Sequence, residues 1–148
     1  MVLHQDEFCR ERFKQALKMF EGTNCLRHFV KIDNREPDPL GYVRIIKSIH
    51  IHEVNDQELS LMYPHTGYKQ TLLVEVNARS FLRGQIRIMI MACLKFAKGW
   101  ISEQDMQRLF TEKEVPLLEN GREWDKRPAS PFGLYLTDIQ YDPEIFQE

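Results

Sequence analysis

The sequence predicts an α+β domain, an antiparallel sheet of about three to four strands with helices packed on one face. Two observations carry this. The stretches Val43 to Glu53 and Gln70 to Ala78 alternate apolar and polar residues at the period of a half-buried strand. Three other stretches read as helices, and the resulting order of helix, strand, strand, helix, helix, strand suits a layered antiparallel arrangement.

From Asp6 to Phe20, apolar residues recur at Phe8, Phe13, Ala16, Leu17 and Phe20, with Gly22 as a stop, which predicts an amphipathic first helix. Asp33 to Gly41 concentrates Asn34, Pro37, Pro39 and Gly41 and reads as a loop. In the strand that follows, Val43, Ile45, Ile49 and Ile51 fall on one side and Arg44, Ser48, His50 and His52 on the other, with Ile46 and Lys47 breaking the pattern slightly. Asn55 to Lys69, holding Pro64 and Gly67, is expected to be a long hairpin connection. Gln70 to Ala78 returns antiparallel, with Leu72, Val74 and Val76 on one face and Thr71, Glu75 and Asn77 on the other.

Phe81 to Ala97, FLRGQIRIMIMACLKFA, is apolar almost all the way round if helical, the signature of a central core helix, and Lys98 and Gly99 end it. Ser102 is placed to cap a further helix, Glu103 to Thr111, whose first turn is acidic. Pro116 to Pro131 looks irregular, and Leu134 to Tyr141 predicts a closing strand. So narrow a sheet leaves edges that need pairing or covering, which points to a missing half or an oligomer.

At 148 residues the chain fits one domain, with 43% hydrophobic and 28% charged residues, which excludes a disordered or fibrous chain. The net charge of −2 means that a polyanionic partner must be met by a local basic patch. The three cysteines, Cys9, Cys25 and Cys93, have no CxxC spacing, so neither a disulfide framework nor a zinc ribbon is expected and a reducing compartment is the simpler assumption. With neither a secretory nor a membrane-spanning segment in view, the expected location is intracellular, in nucleus or cytoplasm, with an organelle left open.

The core helix carries a basic stripe. Arg79, Arg83, Arg87 and Lys95 are separated by multiples of four, so on a helix they follow one drifting line, although Arg79 can precede the helix proper. Such a stripe can grip phosphates through guanidinium forks, or it can be the solvated face of an amphipathic helix. Arg87 differs, because its flanks are apolar and a half-buried arginine wants a carboxylate partner. His50 and His52 could chelate a metal, but no third ligand follows from spacing and no metal is expected. Cys25 and His28 could mimic a nucleophile and its base, with no orienting third group. No glycine-rich phosphate loop, HExxH or GxSxG motif is present.

Asn77 to Met91 reads NARSFLRGQIRIMIM, Gly133 to Leu136 reads GLYL, Phe20 to Asp33 reads FEGTNCLRHFVKID, and Val43 opens VRII. In order and spacing these four stretches resemble the C-terminal half of the TruA family of tRNA pseudouridine synthases, with its FLRHMVRNMVG segment and GLYL strand. The third is similar to the FxGxHDFRNFCKxD segment of the eukaryotic branch acting at tRNA positions 38 and 39. The resemblance covers about residues 8 to 142. It implies half of the pseudouridine synthase fold, tRNA as partner, no cofactor, and a reaction in which a flipped-out uridine is attacked by an aspartate and the base is reattached through carbon.

By the same resemblance Arg87 matches the arginine that pairs with that aspartate, and Leu134 a residue packed close to the active site. Arg44, Arg79 and Arg83 are candidates for RNA backbone contacts. The family's nucleophile lies in an RTDxGV segment near the N-terminus, and none of Asp6, Asp33, Asp38, Asp56, Asp105, Asp125, Asp138 or Asp142 has that context. Gly84 stands where the family usually has histidine, and Asn24 and Cys25 replace its His-Asp pair. The chain is therefore expected to be a single domain, inactive alone and completed by an N-terminal half, with a homodimer as a candidate assembly. The alternative is a natural module that keeps the fold for RNA or protein binding after losing catalysis.

Overall fold

The computed structural model describes residues 2–4, 9–31, 39–54 and 71–129. In chain order these form β1 (Val2–His4), α1 (Arg10–Met19), β2 (Gly22–Cys25), 3-10 turns at Arg27–Phe29 and Pro39–Tyr42, β3 (Val43–Val54), β4 (Thr71–Ala78), α2 (Gln85–Ala97) and α3 (Glu103–Thr111). The sheet is four-stranded in the order β1-β4-β3-β2, every pair antiparallel. The fold is α+β as expected, and the two long strands lie at its centre. The flanking strands β1 and β2 escape sequence reading because three or four residues are too few to show a period. The predicted closing strand from Leu134 and the connection from Asn55 to Lys69 lie outside the described residues.

The irregularity at Ile46 and Lys47 is a β-bulge. Ile46 pairs with Ala78 and Ser48 with Asn77, so Lys47 is the extra residue, and the side-chain alternation shifts by one across it. Ile46 and Ile49 are both buried, whereas Ile45, expected on the apolar side, is 58% exposed. On β4, Leu72 and Val74 face inward as the alternation requires.

Helix α1 turns Phe13, Ala16 and Leu17 into the core and ends one turn before Gly22, whose φ of +92° only glycine adopts without strain. Helix α2 lies centrally, burying Ile88, Met89, Ile90, Ala92, Cys93, Phe96 and Ala97. It begins later than its apolar run suggests: Gly84 has φ +72° at the N-cap, and residues 81–84 form a turn instead of the first helical turn. Helix α3 starts as expected at Ser102, whose hydroxyl accepts from the Asp105 amide at 3.0 Å while the Asp105 carboxylate accepts from the Ser102 amide at 3.1 Å, a complete capping box. The helices share a single core with the inner face of the sheet. Phe20, Phe29 and Phe110 meet edge-on or tilted at centroid distances of 4.7, 4.8 and 5.0 Å, joining α1, the Arg27–Phe29 turn and α3.

Beyond the Gly22–Ile46 pair, where β2 has not yet begun, side chains continue the pairing along β3. The Ile49 amide donates to Glu21 Oε1 at 2.9 Å, and Lys18 Nζ donates to the Ile49 carbonyl at 3.0 Å and to Glu21 at 2.9 Å. Backbone groups that a longer strand would pair are thus satisfied by a Lys-Glu clamp. No helix among the described residues is long and apolar enough to cross a membrane.

Candidate functional site

The basic stripe divides into two parts with different surroundings. Arg87 and Lys95 lie on α2, two turns apart, and both reach the irregular segment after α3. Arg87 is half-buried, and its Nε donates to the Ala129 carbonyl at 2.7 Å while the Ala129 amide donates to the Arg87 carbonyl at 3.0 Å. Lys95 Nζ lies 4.7 Å from the Trp124 ring centroid and donates to the Asp125 carbonyl at 3.2 Å. Its burial pushes the ammonium pKa below the ordinary range. The pair straps residues 124–129 along the core helix.

The strap is anchored from its other side. Trp124, buried, donates its indole N–H to the His28 carbonyl at 2.8 Å, and Lys126 Nζ donates to the Arg27 carbonyl at 2.9 Å. Sequence reading missed both residues, because the stretch from Pro116 shows no period. The available signal was a tryptophan within three residues of Arg122, Lys126 and Arg127 in a segment otherwise rich in breakers.

Arg87 keeps charge in reserve. Its Nε is engaged by a carbonyl, and among the described residues no carboxylate forms an ion pair with its guanidinium. A half-buried cation without a counter-charge is costly unless something else supplies one.

Arg79 and Arg83 precede α2, so the four-residue spacing does not place them on the helix with Arg87; the left-handed turn at Gly84 breaks the line. Both are exposed, Arg79 just past the end of β4 and Arg83 in the turn, whose carbonyl accepts from the Lys31 amide at 2.9 Å. A Cβ at Gly84 would lie 3.2 Å from Lys31 Cγ, so the lysine stem rests against that glycine. Arg44 is turned onto its own backbone: Nη1 donates to the Gly41 and Val43 carbonyls at 2.8 and 2.9 Å, bracing the start of β3. Leu134 lies outside the described residues.

His50 and His52 stand on the outer sheet face with ring centroids 6.4 Å apart, and His52 Nε2 is 3.7 Å from Glu75 Oε2. Among the described residues no group of three metal-ligating side chains is assembled. His28 is only 2% exposed and its Nε2 lies 2.6 Å from the Glu112 carbonyl, which fixes the proton on that nitrogen and leaves Nδ1 without a partner among the described residues. Burial holds its pKa below the ordinary value, opposite to what a general base poised for Cys25 requires. All three cysteines are free thiols, and burial raises Cys93 well above its ordinary range.

A family model described as tRNA pseudouridine synthase matches residues 16–142. The chain is similar to the tRNA pseudouridine synthase A of Methanothermobacter thermautotrophicus, 26% identical over 145 residues that cover 97% of this chain and 43% of the relative. It is also similar to that of Ligilactobacillus salivarius, 27% identical over 136 residues covering 90% and 44%, and to that of Pseudothermotoga lettingae, 28% identical over 131 residues covering 88% and 44%. The chain therefore spans less than half the length of these relatives. With most of its length inside the family match, the chain belongs to the TruA family of tRNA pseudouridine synthases.

Proposed function

We propose that the chain is the C-terminal domain of an enzyme that isomerises uridine to pseudouridine in tRNA, of the branch acting at positions 38 and 39. In this reading the complete protein works inside the cell, in nucleus or cytoplasm, with an organelle left open. Uracil leaves ribose through nitrogen and returns through carbon, so the reaction is an isomerisation with no net redox change and calls for no cofactor. The nucleophilic aspartate belongs to an N-terminal half, and Arg87 enters the active site as its partner. The C-terminal placement rests on the order of the NARSFLRGQIRIMIM and GLYL segments, and a homodimer is a candidate assembly.

The observation that supports this role is the state of Arg87. It is half-buried and fixed through Nε by Ala129, yet carries no carboxylate partner among the described residues. A guanidinium so placed meets an incoming carboxylate without reorganising and strengthens it where water is excluded. Arg79 and Arg83, exposed at the foot of the same helix, suit contacts to RNA phosphates.

One observation favours the second reading, a binding module without catalysis. At Gly84 the left-handed backbone and the Lys31 stem leave no unstrained place for the histidine usual in the family. One experiment separates the two. Incubated with tRNA, this chain alone forms no pseudouridine, and the chain joined to a half carrying an RTD segment does. A joined protein that binds tRNA but leaves every uridine unmodified would establish the module, and activity from the chain alone would contradict the role given to the aspartate.

A further inference from the structure

Phe81 is 42% exposed in the turn between β4 and α2 and does not belong to the hydrophobic core. The stretch from Val76 to Ser102 contains five cations, Arg79, Arg83, Arg87, Lys95 and Lys98, and no acid. Three of them are accounted for: Arg87 and Lys95 strap the 124–129 segment, and Lys98 lies 5.0 Å from the Trp100 ring centroid. The two left over, Arg79 and Arg83, bracket Phe81 in sequence.

A third cation joins them from elsewhere in the chain. The Lys31 amide is bonded to the Arg83 carbonyl and its stem lies over Gly84, which holds this lysine at the same turn. Among the described residues none of Lys31, Arg79 and Arg83 takes part in an ion pair. The result is an exposed phenylalanine in a turn that also carries three cations, none of them in an ion pair among the described residues. A protein partner would have to bring several acids and an apolar contact in the same small area. An unpaired nucleotide strand brings both as a matter of course, because each base offers a π face and each linkage a phosphate.

We infer that Phe81 is a stacking platform for one unpaired base of an RNA strand, with Arg83 and Lys31 holding the phosphates on either side of it. This rests on the RNA-binding reading above and adds to it the residue that selects unpaired over duplex RNA. Arginine alone would bind both forms through the backbone. Stacking requires a base free of its neighbours.

The test uses the whole chain and a labelled single-stranded RNA, with the same sequence annealed as a duplex for comparison. Phe81→Leu, which keeps the apolar bulk but removes the π face, lowers affinity for the single strand about tenfold. It leaves duplex binding and the salt dependence unchanged, and Phe81→Tyr restores the single-strand affinity. Arg83→Gln instead reduces the slope of log affinity against log salt by about one and weakens both RNAs alike. Phe81→Leu binding the single strand as tightly as the unmodified chain overturns the platform, as do equal losses on strand and duplex or no RNA binding at all. Pseudouridine formation by the joined enzyme is read separately, so loss of the platform and loss of the isomerase reading are distinguishable.

Discussion

Arg87 and Ala129 hold each other by two hydrogen bonds, the arginine Nε donating to the alanine carbonyl at 2.7 Å and the alanine amide to the arginine carbonyl at 3.0 Å. Only one of the two needs the side chain. Arg87→Ala should therefore loosen residues 124–129 without detaching them, costing about 1–2 kcal/mol. Hydrogen exchange reports this directly: the Ala129 amide exchanges about tenfold faster in the variant, with amides of the β3–β4 pair unaffected. Unchanged exchange at Ala129 would show that the strap is held by Trp124 and Lys126 alone.

The capping box of α3 makes a second, independent prediction. Ser102→Ala removes the hydroxyl that accepts from the Asp105 amide and should destabilise the domain by about 1 kcal/mol, lowering Tm by about 3 °C. Asp105→Ala should cost more, because its buried carboxylate also accepts from the Glu119 amide at 3.1 Å and so ties the following loop to the helix. Thermal melts of the two variants check the order.

At Gly84 both backbone and surroundings resist a side chain. Gly84→Ala places a Cβ at φ +72°, 3.2 Å from Lys31 Cγ and 3.4 Å from Ile88 Cδ1, for an expected loss of about 1–2 kcal/mol. Adding Lys31→Ala removes the nearest contact and should recover only part of the loss, the remainder being backbone strain. Full recovery in urea titrations of the double variant would put the cost in the contact alone.

Stability should fall with acid in two stages. His28 has its pKa lowered from 6.5 by burial, so the unfolded chain takes up the proton first and stability declines as pH drops below about 6.5. Glu21 has its carboxyl lowered from 4.5 by the Lys18 ammonium and the Ile49 amide, so its contribution is present above about 4.5 and is lost as pH falls through the folded value. Urea midpoints measured from pH 8 to about 2.5 for the parent and His28→Gln should differ in slope in the first stage and run parallel in the second.

These features were unequally legible in the sequence. The two long strands and the first and third helices could be read because their apolar residues recur at a fixed period, and Ser102 because a cap is a local device. The start of the core helix could not: Phe81 and Leu82 continue the apolar run, and only the left-handed turn at Gly84 shows that they lie outside it. That error put Arg83 on a helical line with Arg87, whereas Arg79 was already read as able to precede the helix. The inward face of β3 was misassigned before Lys47 for a related reason, since a bulge shifts the period without changing composition. Arg87 was marked by its apolar flanks, but its bonds to Ala129 join residues far apart in sequence and leave no local signature.

Pseudouridine formation by the joined protein, measured with and without Arg87, tests the central claim most directly. With an RTD-bearing half restored, the parent should modify tRNA, and Arg87→Ala should reduce the rate at least about a hundredfold while melting as a folded protein and retaining tRNA binding. A folded Arg87→Ala enzyme working at the parent rate would contradict the place given to Arg87 in the active site.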